Sequence, residues 1–128
     1  GFLLRRAHQR HQTIFAQHAV QGLTPMQFST LFRLASAREG VSQNALGRLV
    51  AMDAATTKGV VARLQARGLI QTEPDPHDKR RYTLRATAAG RAVLAEVLPE
   101  MEAINEASLA PLSARERAQF ARLLRKLV

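Results

Sequence analysis

Residues 42–87 read SQNALGRLVAMDAATTKGVVARLQARGLIQTEPDPHDKRRYTLRAT, and this stretch decides the fold. Two short helical patterns meet at a turn formed by Ala51 and Met52, and a basic hairpin pattern follows them. A helix fits the major groove of duplex DNA, and a flanking hairpin can reach the minor groove. This order of elements predicts a winged helix-turn-helix.

Local signals place the ends of these elements. Ser42 and Asp53 are good N-caps for the two helices, and Gly68 is a good C-terminal cap for the second. Apolar residues at helical spacing predict one buried face on each helix. The predicted buried residues are Ala45, Leu46, Leu49, Val50, Val60, Val61 and Leu64. Strands are predicted at residues 69–73 and 81–85, with a turn at residues 74–78 between them.

Amphipathic helical patterns flank this segment on both sides. Residues 2–21 fit one helix that Gly22 ends, and Pro99 should kink or split a long helix in the second half of the chain. Capping residues predict that further helices begin at Thr24, Thr87 and Ser113. The predicted fold class is therefore mainly α with a small β-hairpin wing.

The chain is predicted to form a single domain over residues 1–128. Residues 24–86 form the predicted DNA-binding part, and residues 1–22 and 87–128 form a predicted helical dimerisation part. The flanking helices are amphipathic and need a partner surface, for which a second copy of the chain is the simplest candidate. The alternative is that these helices pack only within one monomer.

The net charge of +9 is distributed unevenly over the 128 residues. Residues 42–91 hold nine Lys or Arg and four Asp or Glu, a surplus of five positive charges. A positive surplus is expected on a surface that faces phosphates, although a solvated basic face is the alternative. Double-stranded DNA is therefore the predicted partner, and a sequence-neutral architectural DNA-binding protein is the alternative to a sequence-specific one.

Several other classes are disfavoured. The chain has no Cys, which leaves out disulfides and thiolate zinc sites, and it shows no phosphate loop, nucleophile elbow or zincin motif. We therefore predict neither an enzyme nor a cofactor. No apolar run approaches the length of a membrane span, and the first residues do not resemble a signal peptide, so the predicted location is cytoplasmic.

Candidate DNA-contacting residues lie at the start of each helix of the motif and at the tip of the wing. They are Ser42, Gln43, Ala54, Ala55, Thr56, Lys58, Gly59, Arg63, Lys79, Arg80 and Arg81. A basic tip residue can enter the minor groove, and Asp75 or Asp78 can form an ion pair that holds the tip in shape. Gly59 lowers helix stability, which indicates either close approach of the DNA or tight packing against a neighbouring helix.

The first predicted helix carries an unusual stripe. His8, His11 and His18 share a face with Leu4 and Phe15, and histidines on an apolar face need partners. Together with nearby cations and aromatic residues of the second helix they predict a pocket for an aromatic acid. The candidate ligand-binding residues are Arg6, His8, Arg10, His11, Phe15, His18, Met26, Phe28 and Phe32. One alternative is that the histidines form hydrogen bonds across a dimer interface. Another is a metal site, which the absence of a Cys ligand disfavours.

The chain resembles the MarR family of multiple-antibiotic-resistance-type regulators. The resemblance rests on residues 46–49, residues 63–70 and residues 75–81, and it continues through Leu84, Thr87 and Gly90. It implies a homodimer held by the first and last helices. It also implies a repressor of nearby genes that a small phenolic or carboxylate ligand releases from a palindromic operator.

Two positions depart from the usual pattern of that family. His77 stands where many members have Arg, and Lys58-Gly59 stands where a Thr-Arg pair is frequent, so base contacts cannot be transferred there. The first helix is similar to that of members that sense aromatic catabolic intermediates. The resemblance therefore implies an aromatic carboxylate or its thioester as the effector.

Overall fold

A computed structural model describes residues 1–18 and 20–128, and it confirms a mainly α fold with a small β-hairpin. The elements that it describes are α1 (Phe2–Ala16), α2 (Pro25–Ser36), α3 (Gln43–Leu49), α4 (Ala54–Ala66), β1 (Ile70–Pro74), β2 (Tyr82–Ala86), α5 (Ala88–Leu109) and α6 (Ala114–Leu124). The strands pair antiparallel, with Ile70 opposite Ala86 and Pro74 opposite Tyr82. Val41 adds a short bridge to Leu84.

The chain divides into two compact units. The first unit comprises Gly1–Ala19 and Pro99–Val128, and the second unit comprises Val20–Leu98. The DNA-binding part predicted at residues 24–86 lies inside the second unit, which continues through the first half of α5. α5 is one continuous helix across Pro99, so this proline does not split it.

The prediction that the first helix extends to residue 21 is wrong. α1 ends at Ala16, where the backbone N–H of Gln17 donates to the carbonyl of Ile14 and that of His18 to the carbonyl of Phe15, which tightens the last turn. Farther along, Gln21 and Gly22 both have positive φ, 55° and 68°, which is incompatible with a right-handed helix. His18 therefore follows α1 instead of lying on it, and residue 19 of the predicted helix lies outside the described residues.

The buried residues predicted for α3 and α4 are confirmed in part. Leu46, Val60, Val61 and Leu64 are buried as expected, Ala45 and Val50 are half-buried, and Leu49 is 55% exposed. The buried face of α3 is centred between Leu46 and Gly47, because a Cβ at Gly47 would approach the Thr57 Oγ1 to 2.9 Å. With 3.6 residues per turn, Leu49 lies on the flank of that face.

The predicted caps are confirmed at the ends of the DNA-reading motif. Ser42 and Asp53 accept hydrogen bonds from the backbone three residues on, at 3.3 and 2.8 Å. Gly68 has φ of 67°, and the backbone N–H groups of Gly68 and Leu69 donate to residues 65 and 64. This is a Schellman motif, which satisfies carbonyls that the end of α4 would leave free.

None of the helices within residues 1–18 and 20–128 has the length and apolar character of a membrane span.

Candidate nucleic-acid interface

The N-terminal turn of α4 is organised by Asp53. The backbone N–H of Thr56 donates to Asp53 Oδ1 at 2.8 Å, and the Thr56 hydroxyl donates to Oδ2 at 3.0 Å. These two hydrogen bonds, the backbone one foremost, lower the pKa of Asp53. Because its hydroxyl proton is committed to Asp53, Thr56 offers a DNA partner only acceptor lone pairs and its methyl group.

Behind this turn, the outward face of α4 carries small side chains and cations. Ala54, Ala55, Lys58 and Arg63 are exposed, and Gly59 is half-buried among them. A Cβ added at Gly59 would meet only the Arg63 guanidinium, at an ordinary contact distance of 3.8 Å. Packing within the described residues therefore does not require glycine here, and close approach of DNA stays the prediction for this position.

Gly59→Ala is expected to raise the free energy of unfolding by up to about 1 kcal/mol, because Ala is the better helix former. The same change is expected to weaken operator binding, because a methyl group would separate the helix backbone from DNA. Chemical denaturation and an operator titration measure the two effects. Gly68→Ala is the contrasting variant, since its φ of 67° makes Ala destabilising there. Unchanged operator affinity in Gly59→Ala would contradict the close approach.

α3 contributes a polar edge beside the start of α4. A groove between the two helices is lined by Gln43, Asn44, Gly47, Arg48, Met52, Ala54 and Thr57. Asn44 and Arg48 were not predicted as contact residues, although a polar pair at i and i+4 opposite the buried Leu46 is a usable signal. Ser42 is exposed next to this groove, and Gln43 is half-buried in its wall.

The tip of the wing is held by two aspartates. Asp78 Oδ1 accepts hydrogen bonds from the backbone N–H of Arg80 at 3.0 Å and from its Nε at 3.3 Å. Asp78 Oδ2 lies 3.5 Å from the Nε of Arg81, and Asp75 Oδ1 accepts from the backbone of His77 at 2.8 Å. The predicted ion pair at the tip is thus formed by Asp78, and Lys79, Arg80 and Arg81 all remain exposed.

The hydrogen bond from the Arg80 backbone N–H is the main cause that lowers the pKa of Asp78, followed by the Arg80 side chain. Because its pKa is lower in the folded state, the ionised Asp78 carboxylate stabilises the folded wing at pH values above the ordinary Asp pKa. This stabilisation is lost as the pH falls through the lowered pKa. In a carboxyl NMR titration, Arg80→Ala should therefore raise the pKa of Asp78 only partly. A complete return to the ordinary value would contradict the dominance of the backbone bond.

In the first unit, the candidate ligand residues of α1 have partners on α5. His11 Nδ1 hydrogen-bonds with Ser108 Oγ at 2.8 Å, and Arg10 donates to the carbonyl oxygens of Ser108 and, at 3.0 Å, Ala107. After α1, His18 Nδ1 lies 2.7 Å from a carboxylate oxygen of Glu100. Within one unit, α5 thus supplies polar partners to two of the three predicted histidines.

Two other candidate ligand residues in the first unit, His8 and Arg6, have their partners within α1. His8 Nε2 lies 2.9 Å from the side-chain amide of Gln12, and the Arg6 guanidinium lies 5.8 Å from the ring centre of Phe2. Phe15 is buried. Among the residues that the structure describes, no group of three or more His, Asp or Glu is placed to hold a metal ion.

The remaining three candidate ligand residues lie in the second unit, on α2. The rings of Phe28 and Phe32 stack with 5.9 Å between their centres. Phe32 and Met26 are exposed, and Phe28 is half-buried. The predicted set of nine ligand residues thus divides between the two units, with the cations and histidines in one and the stacked aromatic pair in the other.

Comparisons with known proteins identify the family of this chain. A family model described as the MarR family matches residues 21–81. The HTH-type transcriptional repressor NicR of Pseudomonas putida is 43% identical over 129 residues, which covers 100% of this chain and 81% of NicR. The chain therefore belongs to the MarR family.

Two solved structures resemble the whole chain. A probable transcriptional regulator from Pseudomonas aeruginosa has a TM-score of 0.93 and 48% identity, and the match covers 100% of this chain and 96% of that one. BpsR of Bordetella bronchiseptica, whose DNA binding is regulated by 6-hydroxynicotinic acid, has a TM-score of 0.91 and 38% identity, covering 99% and 91%. The protein is thus a winged helix-turn-helix transcriptional regulator, which favours sequence-specific binding over an architectural role.

Proposed function

We propose that this protein is a homodimeric repressor that binds a near-palindromic operator and is released from it by a small aromatic carboxylic acid. The observation that carries the proposal is the outward face of the second unit. There α4 presents Lys58 and Arg63 among small residues, and the wing presents Arg80 at its tip. The relatives support it, since NicR is named a repressor and BpsR responds to an aromatic acid.

Each protomer would insert the N-terminal half of α4 into a major groove. Lys58 would bind a guanine or a phosphate, and the methyl groups of Ala54 and Ala55 would contact thymine methyls. The wing would place Lys79 and Arg80 in the flanking minor groove. Two such helices would stand about 34–36 Å apart, one helical turn of DNA. Such a regulator acts in the cytoplasm and needs no catalytic step.

The first unit is the proposed dimerisation part. Most of the exposed large apolar side chains in the described residues belong to it: Phe2, Leu3, Leu4, Phe120, Leu123, Leu124, Leu127 and Val128. Contiguous exposed apolar surface on a soluble protein marks an interaction site. A two-fold partner is the occupant proposed for it, because a two-fold operator requires two reading helices.

Arg10 and His11 are the residues proposed to bind the effector in the first unit. The Arg10 guanidinium is held by carbonyl oxygens at the end of α5, and a ligand carboxylate would replace these neutral acceptors with a charge-assisted pair. Phe15, His8 and His18 would complete the part of the effector site that the first unit supplies. That the stacked aromatic pair of α2 also contacts the effector stays a prediction. A thioester of the acid is the second effector proposed. Release requires the ligand to prefer the dimer conformation that does not bind DNA.

The test is a gel-shift titration against DNA upstream of the gene that encodes the protein, with and without 6-hydroxynicotinic acid, other aromatic carboxylates and their thioesters. We expect tight binding that depends on the palindrome and is released by one compound. Binding without preference for the palindrome would overturn the repressor and return the protein to the architectural class.

Arg10→Ala is expected to leave operator affinity within about twofold of the wild type and to raise the ligand concentration for release by at least about tenfold, because a charge-assisted pair is lost. Gel shifts at increasing effector concentration measure this. Arg5→Ala is the matched control, because Arg5 is an exposed cation on the same helix whose guanidinium carbon lies 5.8 Å from the centre of the Phe2 ring. Release at the wild-type concentration in Arg10→Ala would remove this residue from the effector site.

A further inference from the structure

The C-terminal end of α4 is tied to a distant part of the chain by Arg67. Arg67 is the C-cap residue of α4, and its Nη2 donates to the backbone carbonyl oxygen of Gln21 at 2.7 Å. From the sequence alone, Arg67 is predicted to contact a phosphate or a carboxylate. The structure instead gives it a backbone carbonyl 46 residues away, within the same unit.

The turn that supplies this carbonyl has an unfavourable conformation. Gln21 and Gly22 both have positive φ, and the N–H of Leu23 closes the turn on the carbonyl of Val20 at 3.0 Å. Positive φ is costly for a residue such as Gln and persists only where the surroundings hold it. Two contacts do so, the bond from Arg67 and a 2.8 Å hydrogen bond from the Gln21 amide to Glu96 of α5.

A second anchor holds the same end of α4 from another side. The hydroxyl of Thr87 donates to the carbonyl of Gly68 at 2.7 Å, and its backbone N–H donates to the carbonyl of Leu69 at 3.0 Å. Gly90 packs directly against the Leu69 carbonyl, where a Cβ could not fit. The end of α4 is thus fixed to the start of α5 and to the turn at Gln21.

We propose that Arg67 is a positioning residue for DNA recognition, which fixes the orientation of α4 through the turn at Gln21 without contacting DNA itself. The proposal rests on the proposed function, in which the N-terminal half of α4 enters the major groove. A rigid helix anchored at one end transmits any change there to its other end. Operator affinity should therefore depend on a bond that lies at the far end of the helix from the predicted base contacts.

The test compares Arg67→Ala with Arg63→Ala, which removes the same charge one turn earlier on α4. For Arg67→Ala we expect operator affinity to fall about tenfold while the slope of log affinity against log salt stays at the wild-type value. For Arg63→Ala, a predicted phosphate contact, the slope should become shallower by about one unit. Arg67→Lys can still donate to the carbonyl and should recover most of the affinity.

A second pair of variants addresses the turn itself. Gln21→Pro fixes φ near −65° and abolishes the turn, so it should weaken operator binding as Arg67→Ala does. Gln21→Gly accepts positive φ and should bind as the wild type does. In the double variant Arg67→Ala with Gln21→Pro, the two losses of operator affinity should not add. Each change alone already removes the hydrogen bond between Arg67 and the Gln21 carbonyl oxygen. Thermal denaturation of each variant verifies that it is folded.

Three results would overturn the proposal. Wild-type affinity in a folded Arg67→Ala variant would leave the bond with a structural role only. If the slope of log affinity against log salt became shallower by about one unit in Arg67→Ala, Arg67 would be a phosphate contact. Absence of operator binding by the wild type would overturn the proposed function, and this proposal with it.

Discussion

Leu123→Asp is expected to convert the protein to a monomer and to lower its affinity for an operator with two half-sites by about 10²–10⁴-fold. Leu123 lies on α6 with 43% of its surface exposed, and Phe120 and Leu124, on the same side of this helix, are exposed as well. In the proposed dimer, which the first unit holds together, this side would be covered. A carboxylate placed there would lose its hydration without gaining a partner, which is costly.

Sedimentation of the variant and titrations against DNA with one or two half-sites measure the effect. Affinity for a single half-site should stay close to the wild-type value, because the predicted DNA contacts lie in the second unit, while the gain from the second half-site should disappear. Ala118→Asp is the matched control, since it adds the same charge on the opposite side of α6, where Ala118 is exposed. A Leu123→Asp variant that remains dimeric would place the dimer interface elsewhere.

The DNA-reading motif follows closely from the sequence because its signals are local. Asp53 caps α4 through a residue three positions on, and Gly68 ends it through a left-handed conformation that needs no distant partner. Short-range capping chemistry of this kind is visible in the sequence itself. The strands were displaced by only one residue from their predicted positions, to Ile70–Pro74 and Tyr82–Ala86.

The turn at Gln21 could not be predicted because its partners are distant. Helical spacing continues beyond Ala16, and nothing near Gln21 in the sequence favours positive φ at that residue. The turn depends on Arg67 and Glu96, which lie 46 and 75 residues farther along the chain. Tertiary contacts of this range override local propensity.

The hydrogen-bond partners of the histidines could not be predicted from the sequence either. Spacing placed His8, His11 and His18 on one apolar face, which correctly indicated that they need partners. It could not show that Ser108 and Glu100, far along the chain, would supply hydrogen bonds to two of them. Polar partners of this kind support a structural role within one protomer, and only a ligand titration separates that role from effector binding.

Arg80→Ala is the second variant with a large expected effect, and it tests the wing. The Arg80 side chain is 91% exposed, yet its Nε lies 3.3 Å from Asp78 Oδ1, and the Arg80 backbone N–H donates to the same oxygen, before any DNA is present. An ordered cation loses less conformational entropy when it enters a groove. We expect the free energy of operator binding to weaken by about 1–3 kcal/mol, which is roughly a fivefold to 150-fold loss of affinity, and the salt dependence to become shallower by about one unit.

Two companion variants separate the charge of Arg80 from its shape. Arg115→Ala removes an exposed cation from α6 in the first unit and should leave both the affinity and its salt dependence unchanged. Arg80→Lys keeps the charge but loses the planar guanidinium, so it should restore the salt slope and only part of the affinity. Fluorescence anisotropy with operator DNA at several salt concentrations measures all three. If Arg80→Ala and Arg115→Ala behaved alike, the wing would lie away from the DNA, and the basic surplus at its tip would be a solvated surface.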